Sequence, residues 1–194
     1  MYCTAIHGHR GARGHAPENT LAGFETALRF GVTALELDIN VSSDHKIVIH
    51  HDPRLNPAIT RNPNGTWVTR FDERLYGMSV MELQQFDVGC IDARTLYGCG
   101  FPHQRSAHEQ RIPTLPQLAE VLRRLGADQM LLNIEVKIDP RNPDLSPPPS
   151  KFATLLLEEL DEIGWLNKTW VQSFDWHVLQ AVQDQEPTVP TGYL

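Results

Sequence analysis

The sequence predicts an α/β fold in which strands and helices alternate around a parallel sheet. Short apolar strands recur along the 194 residues, and stretches with apolar residues at helical spacing separate them. Polar residues gather near the carboxyl ends of several strands, a placement typical of catalytic groups that meet on one rim of a sheet. These observations favour right-handed βαβ units with a functional site at one edge.

The alternating pattern predicts strands near residues 3–8, 33–39, 46–51, 130–138, 169–174 and 191–194. The first helix carries apolar residues from Leu21 to Phe30 and is expected to end at Gly31. Thr114 and Gln117 have the spacing of a capping box at the start of a second helix. Ser150 is the expected N-cap of a third helix, and a fourth is predicted over residues 175–184.

The stretch from Pro53 to Arg111 breaks this pattern. It is rich in Pro, Asn, Gly and Arg and has only a short helical pattern near residues 80–86. We interpret residues 1–194 as a single domain, incomplete at the C-terminus, and residues 53–111 as a loop-rich segment inserted after the third strand.

Charge and hydropathy exclude some classes of partner. The net charge of −7 argues against nucleic acid or an anionic membrane surface, because both favour basic proteins. No apolar run reaches the roughly 18 residues of a membrane span, and no basic region followed by an apolar stretch marks a secretory signal. A cytoplasmic location is the default expectation, with a periplasmic or secreted one left open.

The three cysteines, Cys3, Cys90 and Cys99, show no paired metal-ligand spacing, which argues against a zinc site. A bridge between Cys90 and Cys99 could form in an oxidising compartment. Free thiols are the preferred interpretation.

Carboxylates share one face of two predicted strands. Because side chains alternate along a strand, Glu36 and Asp38 point together, away from Leu35 and Leu37, and Glu135 has the same placement on a later strand. Burying like charges so close together is costly unless a cation lies between them. Three carboxylates without a thiolate suit Mg²⁺ or Ca²⁺, and the sequence does not choose between the two.

Cationic and titratable side chains accompany these carboxylates at the strand ends. Arg10 and Lys137 place positive charge where a phosphoryl group could bind. His9 and His51 exchange protons near neutral pH and are the candidate acid and base. The alternative for the whole set is an ion network that only stabilises the fold, although buried ion pairs rarely stabilise more than apolar packing does.

Three further polar residues are candidates for support behind the site. Asp52 follows His51 directly, and Glu18 could turn back to brace the site or contact the metal region. Asn19, together with Thr20, has the residue type that caps a helix, and capping is the preferred interpretation of both.

Short motifs in a fixed order resemble the glycerophosphodiester phosphodiesterase family: HRGARGHAPENT, ELDI, HHD, IPTL, NIEVK and VQSF. The resemblance spans residues 9–194 and implies a TIM (β/α) barrel that uses a divalent cation to hydrolyse glycerophosphodiesters to glycerol 3-phosphate and an alcohol. A small-molecule substrate is the partner it implies. The implied roles are catalysis for His9 and His51, phosphate binding for Arg10 and Lys137, and metal binding for Glu36, Asp38 and Glu135.

The strand pattern departs from a complete barrel of that class. A TIM barrel has eight strands, and the candidates before Leu194 leave the last two βα units unaccounted for. Open sheet edges would then favour a homo-oligomer or marginal stability.

Two other functions stay open. A lysophospholipase D or sphingomyelinase D type activity would need an apolar entrance, for which Trp67, Phe71, Leu75 and Tyr76 are candidates. A truncated, inactive domain could instead bind phosphodiesters without turnover.

Overall fold

The computed structural model describes residues 5–194 and shows a six-stranded sheet with helices packed on one face. The strands are β1 His7–Gly8, β2 Ala34–Val41, β3 Ile47–Ile49, β4 Leu131–Val136, β5 Thr169–Ser173 and β6 Thr191–Tyr193. The helices are α1 Leu21–Arg29, α2 Val80–Leu83, α3 Leu96–Cys99, α4 Leu115–Arg124, α5 Pro149–Glu162 and α6 Trp176–Gln185. Part of the predicted first strand, including Cys3, lies outside the described residues.

Five strands are parallel and neighbour one another in the order β1-β2-β4-β5-β6. The sixth, β3, pairs antiparallel with the end of β2, with Ile39 opposite Ile49. The expectation of an all-parallel sheet is therefore wrong for β3, which forms a hairpin with β2. Within residues 5–194, β1 and β6 are the edges of the sheet, and self-association through them stays a prediction.

The apolar face of the sheet forms the main core. Leu35, Leu37 and Ile39 on β2 are fully buried and pack with Leu132 and Ile134 on β4. Helices α1, α4, α5 and α6 cover this face. The carboxylates of β2 and β4 are thereby left on the opposite face, as strand alternation predicts.

The helix ends follow the sequence with two exceptions. Thr20 caps α1 by accepting a hydrogen bond from Gly23, and the Gln117 side chain accepts from the Thr114 N–H as a capping box requires. Ser150 is not the cap of α5, which begins at Pro149 because proline suits the first helical position. Asn19 does not cap α1 either, since its side chain lies in the candidate site.

The segment 53–111 contains α2, α3 and a small core of its own. Leu55, Leu75 and Leu83 are fully buried there, beside Val48 of β3. Leu75 therefore cannot line an apolar entrance. Cys90 is buried and Cys99 exposed, and both are free, as preferred from the sequence.

Helices in the described part of the chain are short for a bilayer. The longest, α5, has 14 residues, and no helix in residues 5–194 combines the length and apolar character that a membrane crossing needs.

Candidate active site

Three buried carboxylates cluster on the sheet face opposite the helices. Glu36 and Asp38 lie on β2, and Glu135 on β4 is the register partner of Asp38. Each offers an oxygen, and these oxygens all lie within 4.8 Å of one another. Strand alternation and parallel pairing together produce this cluster.

Asp38 is fully buried and surrounded by donors. Asn19 Nδ2 donates to Asp38 Oδ2 at 2.8 Å, and Arg10 Nε lies 3.1 Å from the same oxygen. Lys137 Nζ lies 2.9 Å from Oδ1 and also contacts Glu135. Burial acts to raise the pKa of Asp38, but the charges around it, with Lys137 and Arg10 first among them, lower that pKa below its ordinary value. Asp38 is therefore an anion that orients both cationic side chains.

Glu36 is less well compensated. The backbone N–H of Arg10 donates to Glu36 Oε2 at 2.6 Å, and His9 Nε2 lies 3.9 Å from that oxygen. Burial and the neighbouring charge of Asp38 raise the pKa of Glu36 to about 7. A raised carboxyl pKa indicates that too little positive charge lies nearby to stabilise the ionised form.

The glycine-rich loop after β1 delivers His9 and Arg10. Arg10 has a φ of 49°, and Gly11 follows with a φ of 82°. A side chain on Gly11 would also meet the Gly23 backbone at 2.8 Å, so a residue with a Cβ atom is excluded there. The tight turn allows the Arg10 N–H and guanidinium to face two different carboxylates.

The Arg10 guanidinium is held from a second side. Arg10 Nη1 donates to Glu18 Oε1 at 2.8 Å, and Glu18 accepts another hydrogen bond from the Tyr97 hydroxyl. Glu18 is buried and occupies the bracing position that the sequence left as one option.

The two histidines have different surroundings. The His9 side chain is 60% exposed, and burial of its remainder with the charges of Arg10 and Arg13 lowers its pKa, so it is neutral at pH 7. His51 Nδ1 lies 2.9 Å from Asp52 Oδ1. Burial acts to raise the pKa of Asp52, but the hydrogen bond with His51 and the charge of His50 contribute to lowering it to about 2. Asp52 is thus an anion that orients the His51 ring.

The donor set fits a divalent cation. When all four are ionised, the carboxylates of Glu18, Glu36, Asp38 and Glu135 carry two more charges than Arg10 and Lys137 compensate. One divalent cation would neutralise them. Asp38 Oδ1 has no hydrogen bond of good geometry although it is fully buried. All three candidate ligands are oxygen donors, which hard cations prefer.

A second group, Asp87, Cys90 and His108, also brings potential ligands within 4.8 Å of one another. The guanidinium of Arg61 pairs with Asp87 and lies 3.2 Å from His108 Nδ1. Arg61 already balances the charge of Asp87, the single carboxylate of this group, so no surplus negative charge is left there to hold a cation.

A family model of the glycerophosphoryl diester phosphodiesterases matches residues 9–194. The chain belongs to this family. The glycerophosphodiester phosphodiesterase of Bacillus subtilis (strain 168) is 28% identical over 190 residues, which cover 96% of this chain and 57% of the relative. Family membership confirms the resemblance of the sequence motifs and the α/β barrel class.

Solved structures of the family superimpose on this chain. A protein assigned to the same family in Silicibacter pomeroyi DSS-3 has a TM-score of 0.91 and 34% identity, covering 98% of this chain and 64% of its own. An Oleispira antarctica phosphodiesterase, in complex with the product sn-glycerol-3-phosphate, has a TM-score of 0.71 and 27% identity, covering 98% of this chain and 65% of its own. The chain therefore spans less than two thirds of the length of these relatives.

The structure brings the predicted site residues of this family member into one neighbourhood. Seven lie on β2 and β4 or in the segments that follow β1, β3 and β4: His9, Arg10, Glu36, Asp38, His51, Glu135 and Lys137. Glu18, Asn19 and Asp52 each contact one of the seven. Sequence reasoning missed Tyr97, because nothing in the motif pattern links the inserted segment to Arg10.

The pKa of Glu36 predicts how cation binding depends on pH. Because it is raised above the ordinary value of 4.5, protonation of Glu36 stabilises the cation-free fold at low pH, and this contribution is lost as pH rises through about 7. A bound cation requires the ionised carboxylate. We expect the apparent dissociation constant for Mg²⁺ or Ca²⁺ to be about tenfold larger at pH 6 than at pH 8, which means weaker binding at pH 6.

The thermal midpoint with and without cation, measured at both pH values, checks this expectation. Burial also raises the pKa of Glu159 to about 7. The difference in thermal midpoint with and without cation, taken at each pH, removes the contribution of Glu159. Glu36→Gln is the matched control and should show weak cation stabilisation at both pH values. Equal cation stabilisation of the unmodified chain at pH 6 and pH 8 would contradict the role of Glu36.

Proposed function

We propose that this chain hydrolyses glycerophosphodiesters to glycerol 3-phosphate and an alcohol, with a divalent cation held by Glu36, Asp38 and Glu135. The observation that carries the proposal is the position of Asp38. One buried carboxylate contacts Arg10 and Lys137 and belongs to the ligand cluster, so phosphate-binding charge and cation site adjoin. Family membership supports the reaction, and the product bound to the Oleispira antarctica phosphodiesterase supports the substrate class.

Arg10 and Lys137 would bind the phosphodiester. Their side chains are largely buried, at 11% and 15% exposure, and their orientations are fixed by carboxylates. Preorganised cations act strongly on charge that develops in a transition state, because little reorganisation is needed during the reaction. The guanidinium can also hold two phosphoryl oxygens at once.

His9 and His51 would carry the protons of hydrolysis. As water forms the new oxygen–phosphorus bond, one histidine accepts its proton, and the other donates a proton to the alcohol oxygen as its bond to phosphorus breaks. Neutral His9 and an oriented His51 suit these tasks. Asp52 would hold the Nδ1 proton of His51 and leave Nε2 for the reaction.

The proposed cation is Mg²⁺ or Ca²⁺. Three carboxylates offer only oxygen ligands, which both ions favour. Glu36, Asp38 and Glu135 would hold the cation, and its charge would offset negative charge that develops on the substrate phosphate. The same charge would keep Glu36 ionised at neutral pH.

Release of glycerol 3-phosphate from glycerophosphocholine, with and without EDTA, tests the proposal on the 194-residue chain. We expect release that EDTA abolishes and that added Mg²⁺ or Ca²⁺ restores. Release that persists at the full rate in EDTA would defeat the cation assignment. No release at any cation concentration, from a folded chain that binds phosphate, would favour a binding domain without turnover.

A parallel reaction with lysophosphatidylcholine separates the substrate classes. The proposed function predicts much faster choline release from soluble glycerophosphocholine than from the lysolipid. The reverse preference would indicate a lysophospholipase D type activity instead.

A further inference from the structure

Tyr97 lies on α3 in the inserted segment, 87 positions from Arg10 in the chain, yet its hydroxyl reaches the candidate site. We propose that Tyr97 is a positioning residue that holds Glu18, and through it the Arg10 guanidinium, in the orientation that receives the substrate phosphate. The inference rests on the proposed function and names a residue outside the family motifs of the sequence.

The hydrogen bonds around Tyr97 form a closed set. The Tyr97 hydroxyl donates to Glu18 Oε2, while Arg10 Nη1 donates to Glu18 Oε1 at 2.8 Å and lies 3.4 Å from the Tyr97 oxygen. Burial and the charge of Glu18 raise the pKa of Tyr97, so the hydroxyl stays protonated and remains a donor. Glu18 therefore has both oxygens bonded and little freedom to rotate.

The backbone that carries Tyr97 is fixed. Thr95 caps α3 by accepting from the Gly98 N–H at 2.9 Å. A Cβ atom on Gly98 would meet the Asp92 carbonyl oxygen at 2.1 Å, so the helix packs directly on its own preceding turn. The Asp92 N–H in turn donates to the Ala58 carbonyl at 2.8 Å. Tyr97 thus projects from a rigid support.

The inserted segment also contacts the loop that carries His9 and Arg10. The Arg13 guanidinium lies 4.5 Å from the centre of the Phe101 ring and 5.8 Å from that of Tyr97. Gln104 Nε2 donates to the Arg13 carbonyl at 2.8 Å. The loop is therefore enclosed between the inserted segment and α1, and Tyr97 is the contact that continues to the guanidinium.

Tyr97→Phe isolates the hydroxyl because the ring and its packing remain. Losing a hydrogen bond to a charged partner weakens that partner's positioning. We expect KM for glycerophosphocholine and the dissociation constant of inorganic phosphate each to rise about tenfold, with a smaller fall in kcat. Tyr76→Phe is the matched control, since within residues 5–194 the Tyr76 hydroxyl makes no hydrogen bond, and it should leave both constants unchanged.

A double-mutant cycle with Glu18→Gln tests the connection. If Tyr97 acts through Glu18, the two changes in phosphate affinity will be far from additive. Unchanged KM and phosphate affinity in Tyr97→Phe would overturn the inference. So would a fall in kcat at constant KM, because that pattern reports fewer active molecules rather than a displaced Arg10.

Calorimetry with inorganic phosphate keeps this inference separate from the proposed function. A chain that binds phosphate and loses affinity in Tyr97→Phe, but never releases glycerol 3-phosphate, would support the positioning of Arg10 and refute turnover. A turning-over enzyme that is insensitive to Tyr97→Phe would refute only the positioning role. Absence of both phosphate binding and turnover would overturn both.

Discussion

Alanine in place of His51 is expected to lower the turnover of a glycerophosphodiester by about a hundredfold or more, and alanine in place of His9 to do the same. Each change removes a group that would exchange a proton during the reaction. The His9 side chain is 60% exposed and that of His51 is 31% exposed, so truncation leaves the core intact. Steady-state release of glycerol 3-phosphate at saturating cation measures the effect.

The matched control is His177→Ala. The His177 side chain is 86% exposed and contacts Asp175, the N-cap residue of α6, so its loss should leave turnover unchanged. Cation affinity and the thermal midpoint should be nearly the same in all three variants. A His9 or His51 variant that turns over at the unmodified rate would return that histidine to a structural role.

Asp38→Asn is expected to abolish detectable turnover and cation binding together, and to lower the free energy of unfolding by about 1–3 kcal/mol. The amide keeps the shape of the carboxylate but removes the charge that faces Arg10 and Lys137. Each buried cation then loses one of its two carboxylate partners, while Arg10 keeps Glu18 and Lys137 keeps Glu135. Calorimetric titration with Mg²⁺ or Ca²⁺ and denaturant unfolding measure the two effects.

Two further variants make this result interpretable. Asp161→Asn removes an exposed carboxylate from α5 and should change neither quantity. Glu36→Gln should lose cation affinity and turnover while remaining folded, because the cation-free Glu36 is already half protonated near pH 7. Unchanged cation affinity in both Asp38→Asn and Glu36→Gln would refute the ligand cluster.

The clustering of the site could be predicted because it depends on local rules. Alternation places Glu36 and Asp38 on one face, and parallel pairing brings Glu135 to the level of Asp38. The antiparallel direction of β3 could have been predicted from the sequence, but the parallel interpretation was wrong. Its apolar alternation is the same in either direction, yet residues 42–46 are too few for the crossover that a parallel strand needs.

The support around the site was less predictable. Asn19 and Thr20 both have the residue type of a helix cap. Thr20 makes the cap in the structure, so the Asn19 side chain is available to donate to Asp38. Tyr97 reaches Glu18 from 79 positions away through a segment without regular periodicity. A single sequence carries no signal for such a contact, because it depends on how irregular backbone packs.

The β2–β3 hairpin divides the assembly of the site into a local and a long-range step. Its short turn brings the chain before His51 back to Asp38, where the His50 N–H donates to the Asp38 carbonyl at 2.9 Å. Closing that turn costs less chain entropy than closing the much longer loop to β4. We therefore expect Glu135 and Lys137 to join after β2 has already paired locally. A divalent cation meets its full ligand set only once β4 has docked, so cation binding should favour the slow, long-range part of folding.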